Sequence, residues 1–225
     1  MSAFVNLKSQ LFILDSLKKS IDDKDKLILL IGKSGSGKSF LLEHLSKDIE
    51  LFLFLKPFFN EKEFSETVSN TLFGSRLSFN KLYDMIKNSK KNFILAFDEL
   101  GMYDEEILER LRLSSELKNL QLILSTHKKQ KILEKEHFSS RISKEFAICK
   151  LDINELFYYV SIKHSSNLCK KSLKFLAKIS LLNLRTVDKI LKTFNEIKLY
   201  YNKMGKNKKD LFILKLCALH YGLLR

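Results

Sequence analysis

The sequence predicts an α/β protein in two parts: a parallel five-stranded sheet flanked by helices over residues 1–150, then an all-helical piece over 151–225. Three observations carry this. Short all-apolar runs alternate with segments of helical periodicity through the first part, and such runs are expected of parallel strands buried on both faces. The run LILLI, from Leu27, feeds straight into a glycine- and serine-rich turn and then a helical pattern, the order of a βα unit whose loop can wrap an anion. After Leu151 the strand-like runs stop, and strands with interleaved helices followed by helices alone mean a sheet domain with a helical appendage.

Taken in order, LKSQLFILDSLKKSI reads as a helix because Leu7, Leu11, Leu14, Leu17 and Ile21 recur at steps of three and four. DDKDK is a charged turn, LILLI the first strand, and FLLEHLSKDI a helix after the glycine loop. LFLFL is a second strand. NEKEFSETVSNTLF and SFNKLYDMIKNS are helices with Asn60 and Ser78 as N-caps. NFILAF is a third strand, YDEEILERLRLSSELK a helix, LQLILS a fourth strand, residues 130–140 a helix and EFAICKL a fifth strand. Helices are then expected over Asp152–His164, Leu168–Ile179, Leu184–Tyr200 and Asp210–Leu224, with the linker-like GKNKK starting at Gly205.

Composition bounds the function. Hydrophobic residues make up 45% of the 225, enough for a sizeable core. No apolar run approaches the roughly 18 residues of a membrane span, and the first twenty residues lack the basic cluster and small-residue cleavage site of a signal peptide. Cys149, Cys169 and Cys217 form no CxxC pair, which argues against a zinc site or disulfide frame and suggests buried thiols in a cytoplasmic protein. The net charge is +14 and unevenly placed: residues 151–225 hold 15 Lys+Arg against 5 Asp+Glu, whereas residues 1–150 hold 25 against 21. A basic helical part attracts nucleic acid or anionic lipid, although a lysine-rich solvated face gives the same count.

Gly32, Gly37, Lys38 and Ser39 fit GxxxxGK[ST]. Glycines let the backbone curl its N–H groups inward onto phosphates, and the next helix adds its positive end. The candidate nucleotide contacts are therefore Gly32, Lys33, Ser34, Gly35, Ser36, Gly37, Lys38, Ser39 and Phe40, with the Lys38 ammonium on the β- and γ-phosphates of ATP and the Ser39 hydroxyl on Mg²⁺. NFILAFDEL answers it about 60 residues after the lysine: a buried strand delivers Asp98 toward Mg²⁺ and Glu99 toward the attacking water. Ser125 or Thr126, at the end of LQLILS, is placed to sense the γ-phosphate. Arg141, in SSRISKEF, is placed to act on a neighbouring copy's nucleotide, and Arg185, in NLRTVDKIL, to fold back onto the nucleotide from the helical part.

The order of these elements resembles an AAA+ ATPase with a helical lid. DELGMYDEEILERLRLSSELKNLQLIL is similar to DEAQ…EEVLEQLRLLxNLE…LLQIIL of the ExeA (general secretion pathway protein A) family, above all in Leu108-Glu109-Arg110-Leu111-Arg112-Leu113. SSRISKEFAICKLDINELFYYVSIKH resembles that family's QRI…YHLxPLsxxEVxxYVxHRL. The resemblance implies a Mg²⁺-dependent ATPase that oligomerises, with the trans-acting role on Arg141 and the lid role on Arg185. Where the family reads VGQPEL this chain has LSTHKK, and where it reads GGxPR this chain has SLLNLR. Larger members continue into a membrane span and a peptidoglycan-binding domain, and neither is expected within these residues.

Two jobs follow from the resemblance. One is assembly of a secretion or DNA-uptake (transformation) machine, with a cytoplasmic location at the periphery of the inner membrane and a partner there. The other is handling of DNA, bound through the basic lid, as in ATPase subunits of transposition systems. No recognition helix for reading DNA sequence stands out. A small P-loop kinase and a nucleotide-dependent scaffold are the non-motor readings of the same loop. The last segment, LFILKLCALHYGLL, is either the final core helix of the lid or an element that docks on a membrane partner or lipid.

Overall fold

The computed structural model describes residues 5–164 and 168–224. In chain order its elements are α1 (Lys8–Asp22), β1 (Leu27–Ile31), α2 (Lys38–Asp48), β2 (Phe52–Phe54), α3 (Glu61–Phe73), α4 (Phe79–Asn88), β3 (Phe93–Phe97), a 3₁₀ turn (Leu100–Met102), α5 (Glu105–Ser114), β4 (Leu120–Thr126), α6 (Lys131–Glu134), α7 (Glu136–Ser139), β5 (Lys144–Ala147), α8 (Ile153–His164), α9 (Lys170–Ser180), α10 (Leu184–Lys203) and α11 (Asp210–His220). They form two compact units. A sheet unit holds Phe12–Lys33 and Lys38–Ile148. A helical unit holds the described residues up to Leu11, Ser34–Gly37, and those from Cys149 onward.

In the sheet unit all five strands run parallel in the order β2-β3-β4-β1-β5. The period-two rule of a strand divides the apolar residues of β1 between two cores. Leu27 and Leu29 pack with Leu95, Phe97, Leu122 and Leu124 against residues of α3, α4 and α5. Ile28 and Leu30 pack with Ala96 and Ile123 against α1 and α2. Burying both faces is what an uninterrupted LILLI is for, and each fully buried leucine contributes about 1.5–3 kcal/mol.

Several element boundaries differ from the sequence-based expectation, and those of α5, of residues 130–140 and of β5 have a visible reason. Helix α5 begins after Asp104, whose carboxylate accepts from Ile107 N at 2.9 Å, and ends at Ser114 because Ser115 Oγ bonds back to the Arg112 carbonyl at 2.6 Å. Residues 130–140 form two single turns broken at Lys135, which is extended (φ −61, ψ 138). Leu133 and Phe138 are both fully buried in one core. On a continuous helix they would point roughly 140° apart, so the break lets both enter it. Strand β5 stops at Ala147 rather than Leu151, since the strand it pairs with, β1, ends at Ile31 and the last bond is Ile148 N to the Ile31 carbonyl at 2.7 Å. Asn60 caps α3 through Glu63 N at 2.8 Å, but Ser78 occupies the cap position of α4 with no side-chain bond.

In the helical unit α8 to α11 share a core of Leu156, Leu176, Val187, Ile190, Leu191 and Leu214, joined by Val5 and Leu7. Ile213, Leu214, Cys217 and Ala218 of α11 are fully buried there, so this segment serves as a core helix of its unit. No helix among the described residues is long and apolar enough to cross a membrane. Asp188 of α10 ties in α8, accepting from Tyr159 Oη at 2.7 Å and Lys163 Nζ at 2.6 Å, with His164 Nε2 at 2.9 Å. Burial opposes its charge, yet the bonds from His164, Lys163 and Tyr159 outweigh that and hold the carboxyl below its usual range. The thiols depart from the buried reading: Cys217 is buried, but Cys149 and Cys169 are exposed, because one follows the end of β5 and the other sits at the N-cap of α9.

Candidate functional site

Within the sheet unit, β1, β3 and β4 end side by side and bring their C-terminal residues together. This is where parallel α/β sheets bind ligands, at the carboxyl ends of the strands. Gly32 N donates to the Thr126 carbonyl at 3.0 Å, fixing the exit of β1 beside β4. Lys38 opens α2 and is only 5% exposed. Its Nζ donates to the Gly32 carbonyl at 2.6 Å and reaches the Lys33 carbonyl at 3.4 Å and His127 Nδ1 at 3.1 Å.

Asp98 follows β3 and is buried to 1% exposure. Its oxygens are met by Ser39 Oγ at 2.5 Å, Ser125 Oγ at 2.6 Å and Glu99 N at 2.9 Å. A buried carboxylate is stable only with such donors. Ser39 and Asp98 together present two hard oxygens side by side, as Mg²⁺ requires. Among the described residues no group of three or more His, Cys, Asp or Glu is placed to hold a metal ion. Tyr103 lies near: its buried hydroxyl has no hydrogen-bond partner among the described residues, and burial, reinforced by the Asp98 charge, pushes its ionisation well above the usual tyrosine range.

Glu99 departs from ordinary backbone geometry. Its φ of 56° is left-handed, unusual for a glutamate, and it heads the 3₁₀ turn. This conformation turns its side chain to His127, whose Nε2 lies 2.8 Å from Glu99 Oε2. An ammonium only donates, so His127 Nδ1 accepts from Lys38 and the ring proton sits on Nε2, donating to Glu99. His127 thus links the two groups expected to do chemistry. Of the two hydroxyls expected as sensors, Ser125 reaches Asp98, while Thr126 Oγ1 is spent on the Lys128 carbonyl at 2.9 Å.

Within the helical unit, Ser34–Gly37 are held by side chains from distant parts of the chain. Arg185 Nη1 donates to Ser34 Oγ at 3.0 Å and Asn183 Nδ2 to the Ser34 carbonyl at 2.5 Å. Leu184 N bonds the Gly35 carbonyl at 3.1 Å, and Gln10 Nε2 the Ser36 carbonyl at 3.1 Å. Gly35 and Gly37 have φ of 75° and 97°, and a Cβ on them would lie 2.2 Å from Asn183 Oδ1 and 2.4 Å from Gln10 Nε2. Only glycine satisfies both demands. Among the described residues the buried Ser36 hydroxyl has no hydrogen-bond partner, and it is a donor suited to a phosphate oxygen. These features fit an anion wrapped by the loop.

Arg141 is not brought to Lys38. It precedes β5, beside Ser143, whose N bonds the carbonyl of Leu27 at the start of β1, at the opposite end of the strand from the loop. Five residues of strand separate the two ends, roughly 16 Å. Arg141 Nη2 pairs with Glu116 Oε1 at 2.9 Å and is half exposed. Phe40 is a partly exposed residue of α2, and Lys33 contributes its carbonyl to Lys38. Sequence reasoning did not assign His127, Gln10 or Asn183. The helical pattern starting at Leu184 marks Asn183 as an N-cap, which it is, through Thr186 N at 3.1 Å. Nothing local marks its second bond, made across 149 residues.

No protein-family model matches this sequence, and no curated protein matches it. Solved structures do share its fold. A Drosophila ORC bound to DNA superposes with a TM-score of 0.71 at 10% identity, over 95% of this chain and 60% of that one. ORC1 from Aeropyrum pernix in complex with DNA gives 0.66 at 13%, over 98% and 66%. The Thermotoga maritima RuvB Holliday junction branch migration motor gives 0.58 at 13%, over 96% and 69%. At 10–13% identity the likeness to these structures is one of fold. This chain spans about 60% of the length of the Drosophila chain. The five-stranded parallel sheet with a helical C-terminal region, read from the sequence, is therefore the observed fold class.

Proposed function

We propose that this chain is a Mg²⁺-dependent ATPase that works as a homo-oligomer, with a sheet domain over 1–150 and a lid over 151–225. One observation carries the reading: a buried Asp98, bonded by the partly buried Ser39, stands beside a Lys38–His127–Glu99 chain of contacts at the ends of β1, β3 and β4. The backbone of Gly32–Ser39 wraps the phosphates. Lys38 exchanges its bond to the Gly32 carbonyl for the β- and γ-phosphate oxygens. Ser39 and Asp98 would hold Mg²⁺, which would supply charge neutralisation at the phosphates. Glu99 orients a water and accepts its proton, with His127 fixing the carboxylate, while Ser125 holds Asp98 in register. Arg185 is tied to the loop through Ser34 and reports nucleotide to the lid.

The work done with ATP is read as handling of DNA, supported by the basic helical unit and by the DNA named with both ORC neighbours. The second reading, assembly of a secretion or DNA-uptake machine at the inner membrane, is supported by the resemblance to the ExeA type. The test is Glu99→Gln. ATP binding should be kept and hydrolysis should fall by about 10²-fold or more. Unchanged turnover removes Glu99 from the mechanism. With ATP bound, the same variant retained on duplex DNA favours the first job, and retained on an inner-membrane secretion or uptake component, the second.

A further inference from the structure

We infer that the solvent face of α9 binds the phosphate backbone of duplex DNA. Lys170, Lys171, Lys174 and Lys178 are all exposed, while Ser172, Leu173, Leu176, Ile179 and Ser180 of the same helix are buried. At about 100° per residue the four lysines fall within an arc of roughly 100°. Lys170, Lys174 and Lys178 form a row with steps of ~6 Å, about 12 Å in all, the axial length of three to four phosphates on one strand.

This charge has no internal outlet. The sequence of α9, KKSLKFLAKIS, contains no acid. Among the described residues none of the four lysines makes an ion pair, whereas Lys163 and Lys198 of the same unit pair with Asp188 and Asp210. Asp152 is used in capping α8, and Glu155 accepts from Ser9 N. Like charges at i,i+4 destabilise a helix, and Lys170 and Lys171 also stand at its positive end. An anion laid along the face relieves both costs.

The composition of the face chooses among anions. No large apolar side chain is exposed on α9, whereas a helix lying on lipid inserts such residues. No aromatic ring stands on the arc to stack the bases of a single strand. With lysine alone, and no Arg, Asn or Gln to read base edges, the contact is to backbone and independent of sequence. The inference deepens the DNA-handling reading and rests on it. Because binding is measured without nucleotide, its failure is distinct from a failure of hydrolysis.

The experiment is fluorescence anisotropy of a labelled 25-base-pair duplex of arbitrary sequence, titrated with the full chain between 50 and 200 mM KCl. Wild type should bind with log K falling against log[KCl] at a slope of about −3 to −4. The quadruple variant Lys170→Gln, Lys171→Gln, Lys174→Gln, Lys178→Gln should lose at least about tenfold in affinity at the lowest salt and flatten the slope by about 3. A control removing the same charge elsewhere, Lys203, Lys206, Lys208 and Lys209 to Gln, should stay within about threefold of wild type. Circular dichroism confirms that both variants fold. Three results overturn the inference: no duplex binding by wild type at the lowest salt; equal losses in the two variants, meaning net charge alone; or phosphatidylserine vesicle binding that vanishes in the α9 variant while duplex binding does not change.

Discussion

His127 accepts from Lys38 at 3.1 Å and lies 2.8 Å from Glu99, so a single imidazole holds both an ammonium and a carboxylate. Lys38 has the Gly32 carbonyl as a further partner at 2.6 Å, while Glu99 relies on His127 in an already strained backbone conformation. Losing the ring therefore affects Glu99 more than Lys38. For His127→Ala the expected outcome is a fall in kcat of at least about tenfold, with ATP affinity within about threefold of wild type. Steady-state kinetics beside equilibrium nucleotide titration separate the two. An affinity loss matching the loss in kcat would mean that the ring only shapes the loop. The sequence showed the triplet Ser125-Thr126-His127 but not which member faces the site, because strand parity becomes uncertain at the turn. The structure gives Ser125 to Asp98 and closes Thr126 onto its own turn.

At the scale of elements, legibility follows burial. LILLI, NFILAF and LQLILS were readable because a strand covered on both faces is mostly apolar, with Gln121 the one polar break inside LQLILS before Ser125, and charged or glycine turns bound each. What could not be read depends on partners far along the chain: the break at Lys135, the early end of β5, and the bonds from Gln10 and Asn183 to the loop, made across 26 and 149 residues. The junction between α9 and α10 combines both situations. Its sequence SLLNLR lacks the glycines of the GGxPR motif it resembles, yet Leu181 and Leu182 occupy those positions with φ of 53° and 61°. The backbone keeps the left-handed turn that delivers Asn183 and Arg185 to Ser34, and two leucines bear the strain. Left-handed geometry costs a non-glycine residue roughly 1–2 kcal/mol, and the greater unfolded-state freedom of glycine offsets about 0.5–1 kcal/mol of any relief. Leu181 is 76% exposed and gives up little burial. Leu181→Gly should therefore stabilise the protein by up to about 1 kcal/mol in a urea melt. A loss of stability would mean that the leucine side chain packs in solution.

For the whole molecule, the decisive geometry is that Arg141 and the Lys38–Glu99 region occupy opposite ends of the same parallel strands. A strand of five residues is too long for one side chain to span, so any action of Arg141 on nucleotide requires a second copy of the chain. A head-to-tail contact, with the β5 entrance of one copy facing the strand ends of the next, is the heterologous arrangement that closes into rings or grows into filaments. The Arg141–Glu116 pair, half exposed at 2.9 Å, is worth little by itself and can be given up for a phosphate. Arg141→Ala should leave ATP affinity within about threefold but reduce turnover by 10³-fold or so at protein concentrations where wild-type activity rises with concentration. On the proposed mechanism Glu99→Gln should be inactive for a different reason, since its arginine is intact. Mixing the two variants in equal amounts should therefore restore about a quarter of wild-type turnover, because that fraction of interfaces joins an intact Glu99 to an intact Arg141. Activity no greater than the mean of the two variants alone would place Arg141 outside the reaction and leave its pairing with Glu116 as its only role.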